Sequence, residues 1–418
     1  MFFIVLNSEM MHSKIRYISA DYIYPVTGQP LKNGIVVTDE SGRIQEIIET
    51  GGKVREMPLL EHYNGVIIPG LVNSHCHLEL SYMKGKITPR KGLDGFINEF
   101  VHLRNTYNND PSEIIELADK RMAEAGIAVI GDISNGNSSF AVKKKSSIYY
   151  HTFVEVSDLF KFDASVLIEK ASKLIKEIEA DTCGSSSVVP HAPYSVSPLL
   201  FQAIGKLAYE NDQVISVHNQ ESDSENELFL RKEGRLMNVL QLMGTDFSSF
   251  QATGKSSLIS CLPYLPASVN ILLVHNTFTI KEDIDFASAY SDNIYWVLCP
   301  NANIYIENKL PDVVMFQKNK MRILIGTDSY ASNISLSVLE EMKTIRRNFP
   351  AIQFQDLLEW ATINGANALN ISTSYGSLEP GKAPGINLID NFDFSKMNIA
   401  DNSRIRVLVK PRLEGKDG

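Results

Sequence analysis

Cysteine is scarce: the 418-residue chain carries only Cys76, Cys183, Cys261 and Cys299, with no CxxC pair. That scarcity argues against a disulfide framework and a thiolate zinc site, and it fits a reducing cytoplasm. Basic charge is not in excess either. Forty Lys and Arg against 49 Asp and Glu leave a formal net charge of −9, which disfavours nonspecific binding to a phosphate backbone, so nucleic acid is not an expected partner. Lys143–Lys145 falls short of the roughly five to eight cations of a basic motif and reads as a solvated turn. Nor is there an apolar run of the roughly 20 residues that a membrane span needs. The opening MFFIVLN has no basic residue ahead of it and reads as a strand or a start-site extension, since Met10 and Met11 also offer starts. Neither a membrane partner nor a secretion signal is expected.

What is present divides by texture. From about Ile15 to Ile68 the runs IRYISADYIY, GIVVTDE and GRIQEIIE alternate with Gly, Pro and Asn turns, and the same texture returns over Gly376–Val409. The two ends therefore predict one small β domain, residues 1–68 plus 372–418. Between them, apolar strand-like runs at Val66–Pro69, Ile127–Ile133, Ile148–Val156, Ser187–Pro190, Val214–Val217, Ile271–Val274, Ile294–Leu298 and Arg322–Ile325 alternate with helical segments such as SEIIELADKRMAEAG and PLLFQAIGKLAYEND. Eight continuous apolar strands alternating with helices predict an α/β fold, a parallel (β/α)8 TIM-type barrel over 69–371.

Such barrels gather their chemistry where strands end, so the strand ends are the places to search. The first carries VIIPGLVNSHCHLE, in which residues two apart in an extended segment share a face, so His75 and His77 can grip one ion while Cys76 points away. His191 follows the fourth run, His218 the fifth and His275 the sixth, and Asp328 follows the eighth. A divalent ion in an open catalytic site wants about three or four N/O ligands plus water, and His75, His77, His218 and Asp328 supply such a set. Zinc is the first choice, iron or manganese the second. Glu221, three residues after His218, can overhang the same pocket and move protons. Asp328 can help orient the water, and His275 and His191 are free to steady the attacking group or bind substrate.

Taken together, PGLVNSHCHLELSYMKG, HAPYSVS, HNQES, VHNTF, CPNAN and GTDSYASN resemble the amidohydrolase superfamily, in its mononuclear deaminase and chlorohydrolase branch. The resemblance implies a barrel with a small β-sandwich domain, an architecture that often dimerises, so a homodimer is expected. It makes His75, His77, His218 and Asp328 the metal ligands, Glu221 the proton shuttle and His275 the neighbour of the reacting water. It makes His191 and Asn303 substrate-facing. Binuclear members place a carboxylated lysine after strand four, where this chain reads SVVPHAPYS, so one metal ion is implied. HNQE leans toward loss of an exocyclic amine from a nitrogen heterocycle, a purine or nucleoside-like substrate, with release of ammonia. HLELSYMKG departs from the methylthioadenosine/adenosylhomocysteine pattern, and Glu79 is similar to the aminodeoxyfutalosine type. Glu79 and Glu155 are substrate-contact candidates or strand-end caps. The rivals are hydrolytic dechlorination or lactam or imidazolone ring opening at the same site, and a catalytically silent metal-binding protein. His12, His62, His102 and His151 read as surface or satisfied core residues. Tyr82, Phe96, Phe100 and Tyr107, after the first strand, offer a lining for a substrate pocket, with helix-face packing the role expected of most of them.

Overall fold

A computed structural model describes residues 15–413 except 54–55, 160–162, 182–183 and 249, so MFFIVLN, Met10, Met11, His12 and Cys183 lie outside the described residues. Fifteen strands are described: β1 (Arg16–Ile23), β2 (Leu31–Lys32), β3 (Ile35–Thr38), β4 (Ile44–Ile48), β5 (Leu60–Pro69), β6 (Leu71–Cys76), β7 (Ile127–Ser134), β8 (Tyr149–Val156), β9 (Ser185–Pro190), β10 (Ile215–Asn219), β11 (Ile271–His275), β12 (Ile294–Leu298), β13 (Ile323–Ile325), β14 (Ile386–Asp390) and β15 (Arg404–Val409).

The β-rich ends do meet. Hydrogen bonding orders β15-β14-β5-β1-β3-β4 with β2 on β1 into one seven-stranded sheet, rather than the two sheets of a sandwich. The join is β14, antiparallel to β5 with Ile386 opposite Pro69 and Leu388 opposite Ile67. Ile18, Ile23, Val36, Ile67 and Leu388 bury one apolar cluster there, and the removal of that surface from water is what holds distant chain ends together.

One sequence expectation is corrected. Val66–Pro69, read as the first strand of the parallel series, is the end of β5 in the seven-stranded sheet, and the parallel series begins with β6. The apolar run is unbroken across Pro69-Gly70, and periodicity alone does not separate one buried strand from the next. Gly70 marks the crossing. A Cβ there would lie 2.3 Å from the Pro384 carbonyl oxygen and 2.5 Å from the Ala128 methyl, a space only glycine fits.

The remaining strands form two four-stranded parallel sheets, β6-β7-β8-β9 and β10-β11-β12-β13. β7 is buried at all eight positions, as a strand covered on both faces should be. The two sheets touch at both edges near the carboxyl ends of their strands. The amide of His218 in β10 donates to the carbonyl of His191, just past β9, at 2.9 Å. At the other edge the amides of Thr327 and Asp328 donate to the carbonyl of His75 at 3.0 and 3.1 Å, and Cys76 forms a parallel bridge with Asp328. Helices at Ser112–Glu124 and Pro198–Asn211 fall where the helical segments were expected. The last has Pro198 in its first turn and a Ser197 cap accepting from the Leu200 amide. Among the described residues no helix is long and apolar enough to cross a membrane.

Lys143 corrects a second expectation. It is not a solvated turn residue: its ammonium is wholly buried, 2.6 Å from the equally buried Asp132 carboxylate. His151 is a satisfied core histidine, bonded to Ser185 and Ser187.

Candidate metal centre and its cavity

At the carboxyl ends of the parallel strands three imidazoles converge. His77 Nε2 lies 3.2 Å from His75 Nε2 and 3.3 Å from His218 Nε2. Asp328 Oδ1 lies 3.5 Å from His75 Nε2 and 3.4 Å from His77 Nε2. Ligand atoms about 2.0–2.1 Å from one zinc ion at tetrahedral angles sit roughly 3.3–3.4 Å apart. The side chains are therefore already spaced to share an ion, with a nitrogen and oxygen donor set that suits zinc and excludes a thiolate-type centre.

Protonation agrees. Burial pushes His75, His77 and His275 below the usual imidazole range, which keeps them neutral. Burial also acts on Asp328, in the upward direction, but the hydrogen bond to His75 and the surrounding imidazoles outweigh it and hold the carboxyl well below its usual range. Neutral imidazoles and an ionised carboxylate are the forms that bind a cation. His218 Nδ1 donates to the His191 carbonyl at 2.8 Å, so its Nε2 lone pair faces the cluster. Ser332 Oγ donates to Asp328 Oδ2 and fixes the carboxylate's rotation.

The backbone is bent to aim these groups. Gln220, His275, Asn276 and Asp328 all have positive φ, 47°, 76°, 57° and 55°, a region non-glycine residues enter at a cost. At His275 the bend is braced by Asn276, which donates to the Leu273 and Val297 carbonyls and accepts from Asn219.

Beside the cluster opens a cavity of about 240 Å³ lined by His77, Glu155, His191, His218, Glu221, His275 and Asp328 together with apolar side chains. Glu221 Oε1 lies 3.6 Å from His275 Nε2. Burial pushes the Glu221 carboxyl up to about 8, with Asp328 and Glu225 adding to the rise and His218 opposing it, so near neutrality it holds its proton. Glu155 behaves oppositely. Burial would raise it, yet His191, His218 and His77 bring it down to about 2, and its Oε1 is 3.4 Å from His218 Nδ1.

Asn303 and Glu79 stand one layer behind the cavity. Asn303 Oδ1 accepts from His275 Nδ1 at 2.9 Å, so it orients that ring instead of facing the cavity. Glu79, pushed up to about 7 by burial, accepts from the Asn135 amide at 3.0 Å. Asn135 escaped the sequence reading. It donates to Glu155 at 2.9 Å and lines the cavity, and as the first residue after β7 it met the same strand-end criterion that selected His191. Phe96 and Phe100, on the helix Gly92–Thr106, both pack against an apolar cluster and line the cavity, while Tyr82 and Tyr107 stack on each other at 4.1 Å. Arg104, on the same helix face, is the one Lys or Arg among the described lining residues.

Removing one of the three imidazoles should empty the cluster. His218→Ala is expected to lose bound metal and hydrolytic rate together, read by elemental analysis and turnover; retained metal would remove His218 from the ligand set.

Known proteins agree with this architecture. The chain is 26% identical over 399 residues to a 5-methylthioadenosine/S-adenosylhomocysteine deaminase of Saccharophagus degradans, covering 89% of this chain and 82% of that protein. Among solved structures, the Helicobacter pylori aminofutalosine deaminase bound to methylthio-coformycin superposes with a TM-score of 0.77 at 22% identity over 91% of this chain and 94% of the other. A zinc-bound adenosine deaminase from Xanthomonas campestris gives 0.71 at 20% over 95% and 92%. At such identities these likenesses speak for an amidohydrolase-type α/β fold, and with the His cluster and the zinc-bound neighbour they support a divalent metal site. The amidohydrolase family model matches residues 66–412, a stretch that holds every residue of the cluster, and the chain belongs to the amidohydrolase family of enzymes, as a hydrolase of carbon–nitrogen bonds other than peptide bonds.

Proposed function

We propose that the protein is a metal-dependent deaminase that replaces the exocyclic amine of an adenine-bearing nucleoside with oxygen and releases ammonia. The observation that carries this is the placement of Glu221, a buried carboxyl 3.6 Å from His275 Nε2 and beside three converging imidazoles. A single divalent ion, zinc first, held by His75, His77, His218 and Asp328, would supply a water of pKa near 7. Glu221 gives its proton to the ring nitrogen next to the carbon under attack. Its carboxylate then takes a proton from the attacking water and passes it to the departing amine. His275, neutral and with Nδ1 committed to Asn303, turns Nε2 toward that water. Glu155 and His191 contact the substrate directly, and Glu79 and Asn303 act through Asn135 and His275.

In this reading the two four-stranded sheets form one closed (β/α)8 barrel over 69–371, and residues 1–68 with 372–418 form the small domain. The apolar wall of Leu93, Phe96, Ile97 and Phe100, with Arg104 along it, suits a nucleoside whose 5′ substituent is apolar and anionic, so aminodeoxyfutalosine is the specific substrate proposed. The deaminase relatives favour amine loss over dechlorination or ring opening.

The deciding experiment is an ammonia-release screen of the metal-loaded protein with adenosine, 5′-methylthioadenosine, 5′-deoxyadenosine and aminodeoxyfutalosine, with a chlorotriazine in parallel. Ammonia from at least one nucleoside is the expected result. Chloride from the triazine with no ammonia from any nucleoside would overturn the reading.

A further inference from the structure

One buried carboxyl near the site has no part in the chemistry above. Glu341, on the helix Val338–Asn348, is 0% exposed. Its Oε2 accepts from the Asn301 amide at 2.8 Å, and its Oε1 accepts from Asn301 Nδ2 at 2.9 Å and from Asn333 Nδ2 at 2.8 Å. All three partners are N–H donors, so only a group with acceptor capacity on both of its oxygens satisfies the set.

The two asparagines lead to different walls of the metal centre. Asn301 lies in the first turn of the helix Pro300–Glu307, and two residues on, Asn303 accepts from His275 Nδ1 at 2.9 Å and donates to the His275 carbonyl at 3.3 Å. Thr344, on the same helix as Glu341, adds a second tie to this arm by donating to Asn301 Oδ1 at 2.6 Å. Asn333 Nδ2 also donates to the Thr327 carbonyl at 2.8 Å, the peptide that immediately precedes Asp328. His275 and Asp328, which with His75 bring ligand atoms within 4.8 Å of one another, are thus tied to one carboxyl through separate arms. Both residues sit at positive φ, so each loop is held in a conformation it would otherwise relax from.

We propose that Glu341 is a positioning residue: it fixes the loops after β12 and β13 relative to each other, and so sets the spacing between His275 and Asp328. The assignment rests on the metal centre and deaminase reading above, and the test separates the two. Glu341→Gln cannot satisfy all three donors, because one of its two terminal atoms is itself a donor. The first readout needs no substrate: the visible absorption bands of the cobalt(II)-loaded protein, which report ligand geometry. These bands are expected to shift in Glu341→Gln at unchanged metal content. They should not shift in Glu340→Gln, which sits on the same helix and pairs with Lys343. The second readout is turnover, expected to fall roughly 10- to 100-fold in kcat with KM changed by less than about threefold, the range typical of partners that orient ligands. Should Glu341→Gln fail to fold, Thr344→Val cuts only the second tie to Asn301 and should shift the cobalt bands in a folded protein. Unchanged bands and kcat in a folded Glu341 or Thr344 variant overturn the assignment. If no nucleoside yields ammonia, the deaminase reading fails while the cobalt bands still decide the role of Glu341.

Discussion

Replacing Glu221 with glutamine is expected to give a folded, metal-loaded protein whose rate of ammonia release is lower by about 10²–10⁴-fold. The substitution keeps the side chain's shape and its reach toward His275 but removes its capacity to exchange a proton. The loop around it does not depend on the exchanged group. Glu225 accepts from the Gln220 amide at 3.0 Å and from the Glu221 amide at 3.3 Å, and the Gln220 side chain is held by Asp283 and Thr279. Loss of rate therefore reports chemistry and not collapse of the loop. The measurement is steady-state ammonia release beside zinc content and thermal midpoint. A variant within about tenfold of the parent, or one that loses its metal, would remove Glu221 from the shuttle role.

A comparable effect on stability is expected from Lys143→Met. The Lys143 ammonium and the Asp132 carboxylate are both wholly buried, 2.6 Å apart. Lys143 also donates to Ser134 at 2.9 Å and Thr152 at 3.1 Å, and Asp132 Oδ1 accepts from the Leu78 amide at 2.7 Å. Breaking such a pair strands an uncompensated charge, at a cost of about 3–5 kcal/mol. The double variant Asp132→Asn/Lys143→Met removes the stranded charge while keeping an acceptor for Leu78, so it should be more stable than Lys143→Met alone. Urea titrations of the parent and variants check both statements, and a loss under about 1 kcal/mol in Lys143→Met would show the pair to be relaxed or hydrated. Leu78 directly follows His77, so this pair also steadies a metal-side residue.

The sequence made the outline of the site legible because strand-end placement is a strong constraint. Once His75, His77, His218, His275 and Asp328 sit at the carboxyl ends of β6, β10, β11 and β13, the parallel arrangement brings them to one face, where the Nε2 spacings are 3.2 and 3.3 Å. Depth was not legible. Asn303, five residues past β12, backs His275, whereas Glu155, near the end of β8, lines the cavity, and nothing in the strand pattern separates the two. The stripe Leu93, Phe96, Ile97, Phe100 has the spacing of any helix face turned inward, and nothing in that spacing tells a packed core from a cavity wall. Lys143 was misread for a related reason: three lysines in a row look solvated until the fold supplies Asp132. The start of the parallel series was misplaced because the apolar run continues through Gly70, where the change of sheet is made by close packing against Pro384 and Ala128.

That change of sheet bears on the order in which the molecule is completed. β5 runs directly into β6, which carries His75, and the outer neighbour of β5 is β14, reached only after the whole parallel series has been synthesised. Asn387 Nδ2 closes the junction on the Pro69 carbonyl across 318 residues of chain. Contacts of such span form slowly, because the loop-closure entropy is spent before they stabilise anything. A chain emerging from the ribosome therefore holds its first histidine pair on a strand whose anchoring sheet has an unpaired edge, and that edge stays open to non-native pairing until β14 arrives.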